Sequence, residues 1–188
     1  MRRFMASMLV VGGALSTPLV AQQRAAAWMV GIAATVGTGW QFEGADIGMA
    51  RPIGLGPLRF ASVTARLGSF ADEGTFLFGS RGFLAGLALA TQTGPVPLLI
   101  VGSEDNPSTI ALDLTFEATG YLASNSPFPQ GGQWVGLAVL PGVRWIQTDG
   151  VGGSFMIGPV VFMGRETDVR TFLGFRLEIP VARGSAAP

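Results

Sequence analysis

Hydrophobic and polar residues alternate along most of this chain. From Asp168 to Val181 it reads D-V-R-T-F-L-G-F-R-L-E-I-P-V. Val169, Thr171, Leu173, Phe175, Leu177, Ile179 and Val181 share one parity. Arg170, Gly174, Arg176 and Glu178 share the other. Strand side chains point alternately to two faces, so one face here is apolar and the other charged. A helical turn would mix the two sets, and the alternation therefore predicts a strand.

Seven earlier segments repeat the pattern. Over Trp28–Val36, Val30, Ile32, Ala34 and Val36 oppose Met29, Gly31, Ala33 and Thr35. Ala45–Arg51 turns Ile47 and Met49 outward and Asp46 inward. Leu58–Leu67 sets Val63, Ala65 and Leu67 against Thr64 and Arg66. Within Thr75–Thr91, Phe83, Ala85, Leu87 and Leu89 face away from a sparse row of Gly82, Gly86 and Ala88. A hydrophobic run broken this often by glycine reads as strand and not helix. Thr109–Leu122 alternates Ile110, Leu112, Leu114, Phe116 and Ala118 with Asp113, Thr115, Glu117, Thr119 and Tyr121. Gln133–Thr148 sets Val135, Leu137, Val139, Val143 and Trp145 against Arg144. Pro141 interrupts it, and a proline without a ladder donor predicts a bulge. Ser154–Gly164 is the seventh strand, and Asp168–Val181 the eighth.

The connections are rich in glycine, proline and polar residues. Gly37–Gly44 is expected to be a loop, with Trp40 and Phe42 at a membrane rim. Pro52–Pro57 reads as a turn, Ser69–Gly74 as an acidic loop, and Asp149–Gly153 as a tight hairpin turn. Gly102–Ser108 and Ala123–Gly132 are longer loops. Pro95–Val101 (P-V-P-L-L-I-V) is apolar without alternation. It fits a short extra strand, an inward plug or a buried link.

The expected fold class is all-β: a single antiparallel up-and-down barrel of about eight strands, transmembrane, over residues 28–182. Ahead of it, Met1–Ala21 has the order of a secretory signal peptide. Arg2 and Arg3 come first, then apolar Phe4–Leu15, then Ser16, Thr17 and Pro18, with Ala21 at the cleavage point. The apolar run is shorter than the roughly 20 residues a helical anchor needs. Residues 22–27 are a lead-in, and residues 183–188 a small-residue tail.

Composition decides which face of the barrel meets water. Charged residues make up 13% of the chain, against about a quarter in soluble domains. There is no lysine, the residue that commonly solvates surfaces and guards open sheet edges. The polar-face charges are few and of both signs: Asp46, Arg66, Asp113, Glu117, Arg144, Arg170, Arg176 and Glu178. Spread over a soluble exterior they would leave wide apolar areas in water. Enclosed in an eight-stranded lumen, which side chains just fill, they would pair as buried charges must. Trp28, Trp40, Trp134, Trp145 and Tyr121 lie near strand ends and are candidates for interfacial aromatics. The alternative is a soluble, lipocalin-like periplasmic barrel with an apolar lumen. Formal net charge is zero without a basic stripe, which argues against nucleic acid as a partner.

The leader, the eight amphipathic strands and the length of the mature chain together resemble the small outer-membrane β-barrel class of Gram-negative-type bacteria. The resemblance covers Trp28 to Val181 and rests on pattern. It implies an outer-membrane location, lipid as the surrounding partner, and a monomer. The chain departs from that class at its C-terminus: such barrels end on an aromatic residue, whereas Phe175 is followed by L-E-I-P-V-A-R and a tail.

Candidate chemistry is sparse. Enzymes on such barrels use a histidine with a serine or aspartate, and this chain has no histidine and no cysteine. Ser62, Ser69 and Ser80 thus lack a base. Asp113 and Glu117 share a face but stand four residues apart, roughly 13 Å along a strand. Asp72–Glu73 and Glu104–Asp105 could bind calcium, but read more simply as solvated loop charges. No catalytic, cofactor or metal site is expected. The expected function is non-enzymatic: an outer-membrane barrel with a charge-paired lumen and a structural, envelope or adhesive role. A narrow pore or small-ligand conduit is the alternative on the same fold, since the sparse faces of Gly82, Gly86 and Ala88 leave room for one.

Overall fold

The computed structural model describes residues 26–72, 80–103, 106–124 and 132–181. These form nine strands and, among the described residues, no helix. The strands are β1 (Ala27–Val36), β2 (Trp40–Leu55), β3 (Leu58–Asp72), β4 (Ser80–Thr93), β5 (Val96–Ser103), β6 (Asn106–Ala123), β7 (Gln133–Gln147), β8 (Gly152–Met163) and β9 (Thr167–Pro180). Met1–Ala21, expected to be a leader, most of the expected lead-in and the expected tail lie outside the described residues.

Eight of the strands close into an antiparallel barrel. β1 pairs with both β2 and β9, and β4 pairs with β6. β5 adds no stave to the ring. Leu84–Gln92 of β4 pair with Ala123–Thr115 of β6, and Val96–Ser103 of β5 pair with Leu112–Asn106 of the same strand. From Gln92 to Val96 the chain takes four steps while β6 takes three, from Thr115 to Leu112. One extra residue at Thr93–Pro95 is thus absorbed, and β5 continues β4 past the end of the ring. Of the three readings open for Pro95–Val101, the extra strand is the one realised.

The register fixes the barrel's shape. One circuit through paired residues passes Ala27, Ala50, Ser62, Ala90, Glu117, Ala138, Val160 and Arg170. Thr171 pairs with Val36, so Arg170 stands opposite position 37, and the circuit closes 37 − 27 = 10 residues further along β1. Ten residues of stagger over eight strands, at about 3.3 Å per residue and 4.8 Å per strand, tilt the strands by roughly 40°. About twelve residues at that tilt rise roughly 30 Å, the thickness of a bilayer's hydrocarbon core.

Parity assigns the faces. β1 and β7 alternate strictly between buried and exposed residues through most of their length. The inner face carries Met29, Asp46, Arg66, Thr115, Glu117 and Arg144, all buried. The outer face carries Ile32, Ile47, Leu67, Phe83, Leu87 and Val169, all more than half exposed. The chain starts β1 and ends β9 at one end of the barrel, here the terminal end. The turns β2–β3 and β7–β8 lie there too, with Gly56 and Gly150 at positive φ (61° and 87°). The other end is the distal end.

Four expectations are corrected. Gly37–Gly44 is mostly strand: β2 begins at Trp40, and Trp40 and Phe42 point into the barrel with exposures of 5% and 0%. The Pro52–Pro57 turn shrinks to the link between Leu55 and Leu58. Pro141 makes no bulge: Val135↔Met163 through Ile146↔Gly152 keep one register, as does β7 against β6. Pro141 instead faces outward, where the missing donor is tolerated by a gap in the β7–β8 ladder between Ala138 and Gly142. The acidic loop is also shorter than expected, because β3 runs on to Asp72.

Candidate functional site

The lumen gathers the chain's chemistry. Strand parity directs every inward side chain to one axis, and eight strands leave space only for side chains. Glycine decides which of them fit. A β-carbon at Gly82 would lie 2.5 Å from Phe70 Cζ, and one at Gly86 would lie 3.0 Å from Tyr121 Cδ1. Gly136 leaves the same clearance on the other side of the Tyr121 ring. The sparse face of β4 therefore makes room for aromatic rings, and rings occupy it.

Those rings fill the distal half. Trp40, Phe42, Phe70, Tyr121, Trp134, Phe162 and Phe172 form one buried cluster. Trp40 meets Phe162 at 5.5 Å between ring centroids, Phe42 meets Tyr121 at 5.7 Å, and Tyr121 stacks on Trp134 at 5.6 Å. Arg170 caps the cluster, its guanidinium 3.8 Å from the Trp40 ring centroid. It donates to the carbonyls of Trp40 and Thr38 and pairs with Asp168 at 2.8 Å.

Below the rings lies a four-charge cluster drawn from four strands. Arg66 forks onto Asp46, Nε to Oδ1 at 2.7 Å and Nη2 to Oδ2 at 2.9 Å. Its Nη1 donates to the Tyr121 hydroxyl at 2.7 Å and pairs with Glu117 Oε1 at 3.0 Å. Arg176 Nη2 joins Glu117 Oε2 and, at 3.4 Å, Asp46 Oδ2. Thr119 donates to Glu117 Oε1. The Arg66 guanidinium also lies 5.0 Å from the Phe172 ring centroid, so its other face is covered by aromatic surface.

A second cluster stands nearer the terminal end. Arg144 Nε pairs with Asp113 Oδ2 at 2.8 Å, and its Nη2 meets Glu178 Oε1 at 2.9 Å and Gln92 Oε1 at 2.7 Å. Gln92 in turn donates to Thr115.

The eight lumen charges read from the sequence are thus all buried, none more than 7% exposed. The structure sorts them in a way parity cannot. Asp46, Arg66, Glu117 and Arg176 meet in one group and Asp113, Arg144 and Glu178 in another, while Arg170 stands apart at the distal rim. Among these eight, four arginines face four carboxylates, and Asp168 adds a partly exposed fifth carboxylate beside Arg170. Asp113 and Glu117 belong to different groups and share no site.

Trp40 and Trp134, expected at the interface, are corrected: both are lumen residues, buried to 5% or less, and Tyr121 is buried there too, on the inward parity read from the sequence. Parity carried the signal: Trp40 and Phe42 share the face of Asp46, and Trp134 shares that of Arg144. Trp28 remains on the outer face at 48% exposure. Gln92 and Asp168 were also missed; both lie on inward parity beside their arginines.

No group of three acidic, histidine or cysteine side chains is placed to hold a metal among the described residues. Glu73, Glu104 and Asp105 of the suggested calcium loops lie outside them. Compared with known proteins, the chain matches no protein-family model, no curated protein and no solved structure, so its barrel stands on its own strand register and lumen packing.

Proposed function

We propose that this chain is a sealed, non-enzymatic outer-membrane barrel with a structural, envelope or adhesive role. The observation that carries the reading is the division of faces. The rows around the middle of the outside are apolar, as in Phe155–Phe175–Ile32–Ala45–Leu67–Ala85–Leu122, which winds across seven strands, while Glu43 with Ser69 and Arg51 with Thr91 stand on the same parity towards the two ends. Every buried charge is inside. Water would not tolerate that exterior, whereas lipid favours it, and the band height matches a bilayer.

The filled lumen supports a sealed barrel over a conduit. Two obstructions stand in series: a plug of rings at the distal end, and beneath it guanidinium–carboxylate clusters that span the bore. The same polar lumen counts against an apolar ligand pocket of the lipocalin kind. Histidine and cysteine, the usual base and thiol of such sites, are missing, which counts against catalysis.

Fractionation of the expressed protein, with gel mobility before and after boiling in detergent, tests the reading. Membrane recovery and a heat-dependent shift are expected, with no single-channel current in a planar bilayer. Clean recovery in the soluble periplasmic fraction would overturn the membrane reading, and steady unitary currents would overturn the seal.

A further inference from the structure

We propose that the free edge of β5 is a docking site for a partner protein, which adds an extended, apolar, carboxylate-bearing segment to it as a further strand. Among the described residues β5 pairs with β6 on one side only, and it stands last in the sheet order. All eight of its residues are exposed. Val96, Leu98, Leu99, Ile100 and Val101 are each at least 44% exposed, and they point to both faces of the strand. Folded proteins guard such edges with charge, proline, bulges or a cover. Pro97 and the register shift between Pro97 and Leu99 interrupt the first part of β5, whereas Leu99–Ser103 keeps one register against β6 and carries no charge. That regular stretch offers backbone donors and acceptors to an incoming strand, while alternate side chains supply apolar contact.

Lipid is the poorer occupant. The hairpin projects beyond the ring at the terminal end, and the residues around its tip, Ser103 to Ser108, read S-E-D-N-P-S. Acyl chains cannot satisfy a free backbone edge. A second copy in the same membrane also fits badly, a point that rests on the membrane reading above. Two such copies are related by a two-fold axis along the membrane normal. Strands tilted by roughly 40° would then cross at roughly 80° and could not pair.

The flanking charge gives the partner's chemistry. Arg59, at the start of β3 on the open side of β5, and Arg51, one strand further away at the level of Thr91, are both exposed, and neither has an ion pair among the described residues. Arg59 Cγ lies 3.1 Å from where a β-carbon of Gly94 would stand, so this side chain reaches the root of the free edge. A segment with carboxylates beside its apolar stretch complements both features.

The test uses the full chain in detergent micelles and a labelled peptide of alternating valine and threonine with two glutamates at one end, the end that meets Arg59. A peptide with lysines in place of the glutamates is the control. Saturable binding is expected, with slowed amide exchange over Val96–Ser103. The Leu99→Lys, Ile100→Lys pair should weaken binding at least tenfold while the heat-dependent gel shift stays. Arg51→Gln with Arg59→Gln should remove the preference for glutamates over lysines. Absence of saturable binding would overturn the proposal, as would equal binding by the lysine pair. Protection of β5 amides by phosphatidylglycerol vesicles alone would assign the surface to lipid, and protection that rises with protein concentration would assign it to a second copy. Either result would also overturn it. Soluble recovery would retire the membrane reading alone, and the same binding test would then run without detergent.

Discussion

At the scale of single residues, the two ion clusters are the costly parts of the lumen. A buried pair is weak evidence of stability, but breaking one strands an uncompensated charge. Arg66 is fully buried and serves Asp46, Glu117 and Tyr121 together. Arg66→Ala is expected to destabilise the barrel by about 3–5 kcal/mol, read as a lower urea midpoint with unchanged slope. Removing Asp46 and Arg66 together should cost less than removing either alone, because Glu117 and Arg176 still neutralise each other. Equal or greater loss in the double variant would mean that the four charges do not act as two exchangeable pairs. Phe42 is the corresponding apolar test. It lies among Tyr121, Phe162 and Phe172, and Phe42→Ala should cost about 3–5 kcal/mol through the cavity it leaves.

At the scale of elements, strand contact depends on glycine where two backbones approach. Gly44 and Gly68 stand opposite each other on the inner face of β2 and β3. A β-carbon at Gly68 would lie 2.0 Å from the Glu43 carbonyl oxygen and 2.7 Å from Gly44 Cα. Both obstacles are backbone and cannot rotate away. Gly68→Ala is expected to lower the unfolding midpoint, by about 1–3 kcal/mol of strain, whereas Gly54→Ala, with open space around it, should leave the midpoint where it is. The β5–β6 hairpin is separable by the same reasoning. Ring closure uses Leu84–Gln92 against Thr115–Ala123 and does not need β5. Replacing residues 97–111 with a two-residue turn should therefore keep the heat-dependent gel shift. A variant that runs as unfolded protein without boiling would show that the hairpin helps close the ring.

At the scale of the molecule, ten residues of stagger and eight strands set a bore that side chains can fill. What fills it here is layered: rings under an arginine cap, then two charge clusters towards the terminal end. The obstructions lie in series, so removing one should not open the barrel. The Phe42→Ala protein is expected to stay silent in a planar bilayer. Unitary current from it would mean that the rings alone make the seal.

Closure of the strands into a ring is decided by the pairing of β1 with β9, whereas alternation by itself determined that the chain is built of strands with one apolar and one charged face. The reason is that a period of two survives every detail of packing: Asp113, Glu117 and Arg144 could only share a face. The same rule held the positions of Trp40, Phe42 and Trp134, but their size and apolarity suggested an interface and masked their parity. Other facts were decided only in three dimensions. Which carboxylate meets which arginine depends on stagger between strands far apart in sequence, as for Arg66 with Glu117 or Arg144 with Glu178. Whether glycine means open space or a seat for a ring depends on the opposite wall, as at Gly86 and Gly136 around Tyr121. Pro95–Val101 carries no period at all, so only its pairing with β6 shows it as a strand that outruns the barrel.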